Sequence, residues 1–292
     1  MKNPDLKNNA CYLIAVLLVL FSSGAYGNEF NEIPFFYQPL IYQLFLDGFD
    51  LEFLTKLFSD SRSGFIPAVT MISLYPNEIP ERYAQFLSAE SILLSKKFLR
   101  NNFNTLRQME KRFQVDKEVA VAILLVESRF GENIGRYRVI PTLASIALMD
   151  SSEILRKNCD AFLQIDPELS CEWIESRSRR KAEWAYQELK CFLNIIRQEK
   201  IDPLEVFGSH AGAMGMAQFI PSTYLNYALN EESLEKWLLS REEAILSIGN
   251  YLRSHGWKRN LPLQKKKQIL FYYNRSAPYV ETVMKVSQKI RH

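Results

Sequence analysis

The sequence predicts a mainly α-helical protein, and three observations carry that expectation. Ala182, Ala185, Leu189, Phe192 and Ile196 fall three or four residues apart, which gives one long helix an apolar face. Leu234, Trp237, Leu238, Ala244, Ile245, Ile248, Tyr251 and Leu252 keep helical periodicity from 231 to 255, and Val119, Ile123, Val126 and Phe130 do so within VAVAILLVESRFG. No run sustains strand alternation, and repeats and low-complexity tracts are missing. At 292 residues, 47% hydrophobic and 24% charged, the chain can bury a sizeable core as one large domain or two small ones.

Taken in order, the chain opens with Lys2 and Lys7, the apolar stretch CYLIAVLLVLF (11–21), and SSGAYG with small residues at Ala25 and Gly27. This is the pattern of a secretory signal peptide over 1–27. Its apolar stretch is too short for a permanent span, so cleavage after Gly27 is expected. No Cys follows where a lipoprotein would be acylated, and no later stretch is long and apolar enough to cross a membrane. The expectation is a soluble, exported protein, with the periplasm of a Gram-negative bacterium as its compartment.

Residues 28–84 read as an N-terminal helical segment, because short apolar runs such as FYQPLIYQLFL alternate with breakers such as Gly64 and Pro67. A longer helical pattern follows Pro80, through Tyr83, Phe86, Leu87, Ile92, Leu93, Phe98, Phe103, Leu106 and Met109, and leads directly into the VAVAILLV helix. Gly131 ends that helix, and Pro141 suits the first turn of the next. Residues 150–178 are polar, carry Pro167 and two cysteines, and read as an insertion rather than core within a domain spanning 85–292, with NCDAFLQIDPELSC (158–171) loop-like. Asp202 and Pro203 close the 182–196 helix, and the last two helices are expected over about Gln264–Asn274 and Pro278–Ile290.

Loss of Lys2, Asp5 and Lys7 would take the net charge from +3 to +2, too small a surplus to argue for nucleic acid. The clusters SRSRRK (176–181) and Lys265–Lys267 read as solvated helix ends. Cys11 would leave with the leader, so Cys159, Cys171 and Cys191 allow one pair and a free thiol, or no pair. In an oxidising compartment a Cys159–Cys171 bridge would staple NCDAFLQIDPELSC. A zinc site is not expected, since His210, His255 and His292 lack ligand spacing, and no cofactor or other metal is predicted.

Three stretches could carry chemistry. Glu127 is the first polar residue after eight apolar ones; an ionised carboxylate buried unpaired is costly while a neutral acid is tolerated, which makes it a candidate general acid. The same position also suits a solvated residue on the polar side of an amphipathic helix. GSHAGAMGMAQFIPSTY (208–224) places three glycines within eight residues, so its backbone can approach a ligand closely, and Ser209 and Gln218 add a hydroxyl and an amide suited to sugar hydroxyls and acetamido groups. A tight loop that packs Met214 and Phe219 into a core would look alike. In FYYNRSAPYV (271–280), Tyr272, Tyr273, Asn274 and Tyr279 offer apolar faces with polar tips, the equipment for stacking on carbohydrate and equally common in cores.

Together these stretches resemble the lytic transglycosylases of bacterial cell walls, most closely the membrane-bound lytic transglycosylase B family. VESRFG is similar to that family's catalytic segment, GSHAGAMGMAQFIPSTY to its glycine loop, YNRSAPYV to its Tyr-Asn segment and SRRKAEW to its paired-arginine helix start, in the family's order over roughly residues 85–290. The resemblance implies a lysozyme-like helical domain of the soluble lytic transglycosylase type with an α-helical N-terminal extension. It also implies Glu127 as catalytic acid and base, and Ser209, Gln218, Tyr251, Tyr273, Asn274 and Tyr279 as substrate contacts. The arginine pair maps onto Arg179 and Arg180 or onto Arg180 and Lys181, with Arg180 common to both registers. Where the family can carry an acidic calcium loop, this chain reads NYALNEESLEKW, without Asp or Gly, so no calcium site is expected.

Ordinary glycosidases use two carboxylates, yet only Glu127 is a good candidate; Glu132, beyond Gly131, reads as solvated. The resemblance implies that Glu127 protonates the bond between N-acetylmuramic acid and N-acetylglucosamine with help from the acetamido group. Glu127 then takes the proton of the muramic 6-hydroxyl as a 1,6-anhydro ring closes. Val126 and Phe130 would supply an apolar wall for the acid. A hydrolytic muramidase, or a noncatalytic peptidoglycan-binding or assembly protein, are the alternatives.

Overall fold

The computed structural model describes residues 33–75, 80–166, 169–229 and 233–291. The leader, Pro167, His292 and the Asn230–Glu232 part of the calcium-loop position lie outside them. The chain clusters into two compact units, 1–64 and 65–292.

The first unit holds α1 (Gln38–Leu46) and α2 (Leu51–Ser59), the latter capped by the Asp50 carboxylate on the Phe53 amide. Its core is Tyr37, Ile41, Leu44, Leu54 and Phe58, and the Tyr37 hydroxyl donates to the Ser63 carbonyl at 2.6 Å.

The second unit contains α3 (Pro67–Leu74), a 3-10 helix (Pro80–Leu87), α4 (Ala89–Asn101), α5 (Phe103–Phe113) and α6 (Lys117–Ser128). It continues with β1 (Tyr137–Arg138), α7 (Val139–Ala147), α8 (Ser152–Ile165), α9 (Cys171–Ile196) and β2 (Phe207–Gly208). It closes with α10 (Pro221–Tyr227), α11 (Leu234–Leu239), α12 (Arg241–Ser254), α13 (Leu263–Tyr273) and α14 (Ala277–Arg291). The mainly α expectation holds; β1 and β2 form a two-stranded antiparallel ribbon with Tyr137 opposite Gly208.

Helix α6 is the axis of this unit. From Val119 to Leu125 every side chain is buried, because α14 covers one side, α4 and α5 others, and α12 touches it as well. A helix that is apolar all round has to be enclosed, which explains why its sequence shows so weak an amphipathic pattern. Helix α9 packs along α7 and against α8 and α10.

Three expectations are corrected. The pattern after Pro80 is broken into a 3-10 helix, α4, α5 and α6, with breaks at Asn102 and at Gln114, whose φ is +57°. The 231–255 run divides at Ser240, whose hydroxyl accepts from the Glu243 amide and so caps α12. Residues 158–165, read as part of a loop-like segment, belong to α8, and the long helix starts at Cys171 rather than near Ala182, because the Ser170 hydroxyl caps it on the Trp173 amide and Ile174 and Ser178 are buried. Cys159 and Cys171 are joined as a disulfide and Cys191 is free.

Candidate active site

Glu127 stands in the last turn of α6, half-buried, one residue before the helix ends. The exit is abrupt: Arg129 and Phe130 take left-handed backbone (φ +49° and +62°), followed by Gly131 at +91°. Phe130 therefore leaves the helical face that its spacing assigns to it, and its ring stacks on Phe98 of α4 at 4.2 Å. The wall expected from Phe130 is thus directed to α4. Arg129 bridges Glu90 at 2.6 Å and Glu132 at 2.9 Å, and Glu132 is a solvated partner, as expected.

The Tyr279 hydroxyl donates to Glu127 Oε1 at 2.7 Å. Tyr279 is 1% exposed, on the first turn of α14, 152 residues further along the chain. The Tyr273 ring lies parallel to it at 6.4 Å, and the Tyr273 hydroxyl donates to the Ala217 carbonyl of the glycine loop at 2.5 Å. Burial, and then the charge of Glu127, push the hydroxyls of Tyr273 and Tyr279 well above the usual tyrosine range, so both remain protonated donors at any physiological pH. Tyr251 of α12 stands edge-on to Tyr273 at 4.9 Å, and burial followed by Tyr227 raises its hydroxyl too.

The glycine loop is tied to α6 directly. Ser128, beside Glu127, is buried; its hydroxyl accepts from the Gly131 amide at 3.0 Å and donates to the Met216 carbonyl at 2.7 Å. The loop folds back on itself, with Met214 and Phe219 exchanging backbone bonds and the Ser209 amide donating to the Ala213 carbonyl. Gly208 has to be glycine for that return, because a Cβ there would sit 2.4 Å from the Ala213 carbonyl oxygen.

The Ser209 hydroxyl accepts from the Ala211 and Ala213 amides, both at 3.1 Å, so it shapes the loop. The Gln218 amide donates to the carbonyls of Ile134 and Gly215 at 3.1 and 2.9 Å, with its backbone at φ +49°. Its carboxamide joins the two loops that flank α6. Asn274, half-buried, ends α13 and accepts the Ser276 amide on its backbone carbonyl.

The predicted residues fall into two sets. Glu127, Tyr279, Tyr273 and Tyr251 form a connected row, with Gln218 and Ser209 in the loop that Tyr273 touches. Arg180 is exposed and bonds Ser176 on its own helix. Burial, and after it the charges of Lys181 and Arg82, hold the His210 imidazole of the loop below its usual pKa. Burial and Arg177 lower Lys181 itself.

Sequence reasoning missed three supports. Tyr83 stands edge-to-face with Tyr279 at 6.4 Å, the buried Glu188 accepts from both the amide and hydroxyl of Ser222 at 2.8 and 2.7 Å, and Phe219 packs beside the Tyr251–Tyr273 pair at 5.9 Å from each ring. Tyr83 and Glu188 sit in stretches of helical rhythm and Phe219 in the glycine loop, where core packing is an expected alternative, but none of the three carries a signal of its partner. Among the described residues no cluster of three or more His, Cys, Asp or Glu is arranged to hold a metal ion.

Comparisons with known proteins identify the family and the fold. The Transglycosylase SLT domain family matches residues 47–270. Membrane-bound lytic murein transglycosylase B of Escherichia coli K12 is 25% identical over 282 residues, 90% of this chain and 67% of that protein. Among solved structures, soluble lytic transglycosylase SltB1 of Pseudomonas aeruginosa superposes with a TM-score of 0.68 at 23% identity, covering 86% of this chain and 96% of its own. Escherichia coli Slt35, solved with bulgecin A, gives 0.69 at 21% identity, covering 88% and 92%. Pseudomonas aeruginosa SltB3, solved with NAG-anhNAM-pentapeptide, gives 0.67 at 18%, covering 87% and 78%. With the soluble lytic transglycosylase fold, and with the family matched over most of its length, the chain belongs to the Transglycosylase SLT domain family and is a lytic murein transglycosylase.

Proposed function

We propose that the protein cleaves the β-1,4 bond between N-acetylmuramic acid and N-acetylglucosamine in peptidoglycan without water, with Glu127 as both acid and base. The observation that carries this reading is the hydrogen bond from Tyr279 to Glu127 across 152 residues of sequence, which holds one carboxylate among tyrosines that cannot themselves ionise. Glu127 gives its proton to the glycosidic oxygen, the substrate's acetamido oxygen stabilises the anomeric carbon, and the Glu127 carboxylate then removes the proton of the muramic 6-hydroxyl as that oxygen closes the 1,6-anhydro ring. Every proton is returned, and no second carboxylate is required.

Tyr279 orients the acid, Tyr273 and Tyr251 wall the cleft, and Ser209 and Gln218 act through the shape of the loop, which presents its backbone to the sugar. Asn274, which follows Tyr273 in the chain, and Arg180 on α9 contribute further substrate contacts. The complexes of SltB3 with NAG-anhNAM-pentapeptide and NAG-NAM-pentapeptide support peptidoglycan strands as the ligand. The segment 226–237 lacks Asp and Gly, which favours a calcium-independent enzyme, although Slt35 has been solved with calcium. The leader pattern over 1–27 supports export to the periplasm, with a helical segment over 28–84 ahead of a catalytic domain over 85–292 that carries the 150–178 insertion.

Digestion of purified peptidoglycan, followed by mass analysis, tests the reading. Fragments with anhydro ends, absent with Glu127→Gln, are expected. Reducing ends one water heavier would identify a muramidase, and wall binding without release of fragments would identify a noncatalytic protein.

A further inference from the structure

We infer that Asp116 and Lys266 are positioning residues: a buried ion cluster at the opposite end of α6 fixes the axial register of α6 against α14, and so the meeting of Glu127 with Tyr279. The inference rests on Glu127 being the acid.

Asp116 is the residue before α6 and is 7% exposed, yet its side chain does not cap the helix. Its carboxylate instead accepts Lys266 Nζ at 2.7 Å and Trp257 Nε1 at 3.2 Å, and lies 3.5 Å from the Arg291 guanidinium. The Lys266 and Asp116 side chains are 13% and 10% exposed, and the Lys266 ammonium stands 5.2 Å over the Trp257 ring. Arg291 also reaches Glu118 at 3.8 Å. One carboxylate therefore gathers the start of α6, the loop after α12, the first turn of α13 and the end of α14.

Helices α6 and α14 run antiparallel, and their polar contacts are at the two ends. Glu127 meets Tyr279 at one, Asp116 meets Arg291 at the other; the intervals are 127 − 116 = 11 and 291 − 279 = 12 residues, or about 16 and 18 Å of helix. Between them the buried residues are mainly apolar, Val119 and Ile123 on α6 and Val280, Val283 and Val286 on α14; of the two buried polar side chains on α14, Thr282 and Ser287, the Ser287 hydroxyl bonds the Met284 carbonyl of its own helix. Apolar packing is non-directional and holds an axial position weakly. A buried ion pair adds little net stability because desolvation offsets its attraction, and its best-attested use is to specify register. Lys266 also lies two turns from Tyr273 on α13, so the same anchor holds the second tyrosine of the row.

A double-mutant cycle tests this. Asp116 is about 16 Å of helix from Glu127, beyond the roughly 7–10 Å within which substitutions normally couple. On soluble glycan strands, with cleaved bonds counted whatever their end product, Lys266→Met is expected to lower kcat about tenfold at nearly constant KM, and to cost less than about threefold when Tyr279 is already Phe. Lys266→Arg restores most of kcat. Equal fold-losses in both backgrounds, or a lowered Tm with unchanged kcat, would overturn the inference. Arg291→Gln, at the surface, carries the same cycle should Lys266→Met not fold. In labelled protein the Tyr279 ring resonances are expected to shift on Lys266→Met, and their constancy would sink the register idea independently of turnover. A hydrolytic product, by contrast, would sink only the reaction assigned to Glu127.

Discussion

The Tyr279 hydroxyl donates a hydrogen bond to Glu127, and removing it isolates the role of that bond. Tyr279→Phe keeps the ring contacts with Tyr273 and Tyr83 and deletes one hydrogen bond to a carboxylate. Such bonds are worth about 1.5–3 kcal/mol, so kcat is expected to fall about 10- to 100-fold with the fold intact, as steady-state rates on soluble strands would read. Glu188 offers a contrasting test at the Ser222 end of the glycine loop. Burial raises its carboxyl pKa, partly offset by the Ser222 amide and hydroxyl. A raised folded pKa means stability that is complete below about pH 4.5 and is lost as pH rises through the folded value. Glu188→Gln keeps an acceptor and drops the charge; its Tm, relative to wild type, is expected to rise from pH 4 to pH 8. Glu188→Ala strands the Ser222 amide and should cost about 1–3 kcal/mol across that range. Of these residues, Glu127 was legible because a carboxylate after eight apolar residues is conspicuous. Its partner was legible only through the family resemblance, since nothing in a string of letters joins positions 152 apart.

At the scale of elements, periodicity found the helices and missed the interruptions. The two last helices fall within about one residue of where their spacing puts them, whereas α11 and α12 were merged because Ser240, a single capping hydroxyl, sits inside an unbroken apolar rhythm. Helix α8 was hidden for the opposite reason: of its side chains only Phe162 and Asn158 are buried, so one turn of apolar contact is spread through a polar stretch. The β1–β2 ribbon left no trace in alternation because each strand has two residues. Its constraint is steric. Gly135 has φ +98°, and a Cβ there would lie 2.0 Å from the Gly208 carbonyl carbon and oxygen. Gly135→Ala is therefore expected to part the ribbon at the base of the glycine loop and to destabilise the fold by at least about 2 kcal/mol in chemical denaturation, with activity lost before global unfolding.

For the whole molecule, the order of the motifs carried more than any local pattern: the Glu127 helix, the arginine-rich helix, the glycine loop and the Tyr-Asn segment lie far apart in sequence, and Glu127, the tyrosines and the loop come together at the end of α6. What the order could not supply is the support behind them, such as Asp116 beneath the helix or Ser128 binding the loop to it. The Cys159–Cys171 bridge is the single covalent constraint among the described residues, and it closes a short loop between α8 and α9, the cysteines being 12 residues apart. Loop entropy predicts that its reduction costs about 2–3 kcal/mol, readable as a lower denaturation midpoint with dithiothreitol or in Cys159→Ser. That bond also gives the chain a sense of place. In a reducing cytosol the hairpin is unstapled and the enzyme weaker; it gains its full resistance to unfolding only where thiols oxidise. Its durability is therefore a readout of the redox state around it, recorded in one bond between two helices.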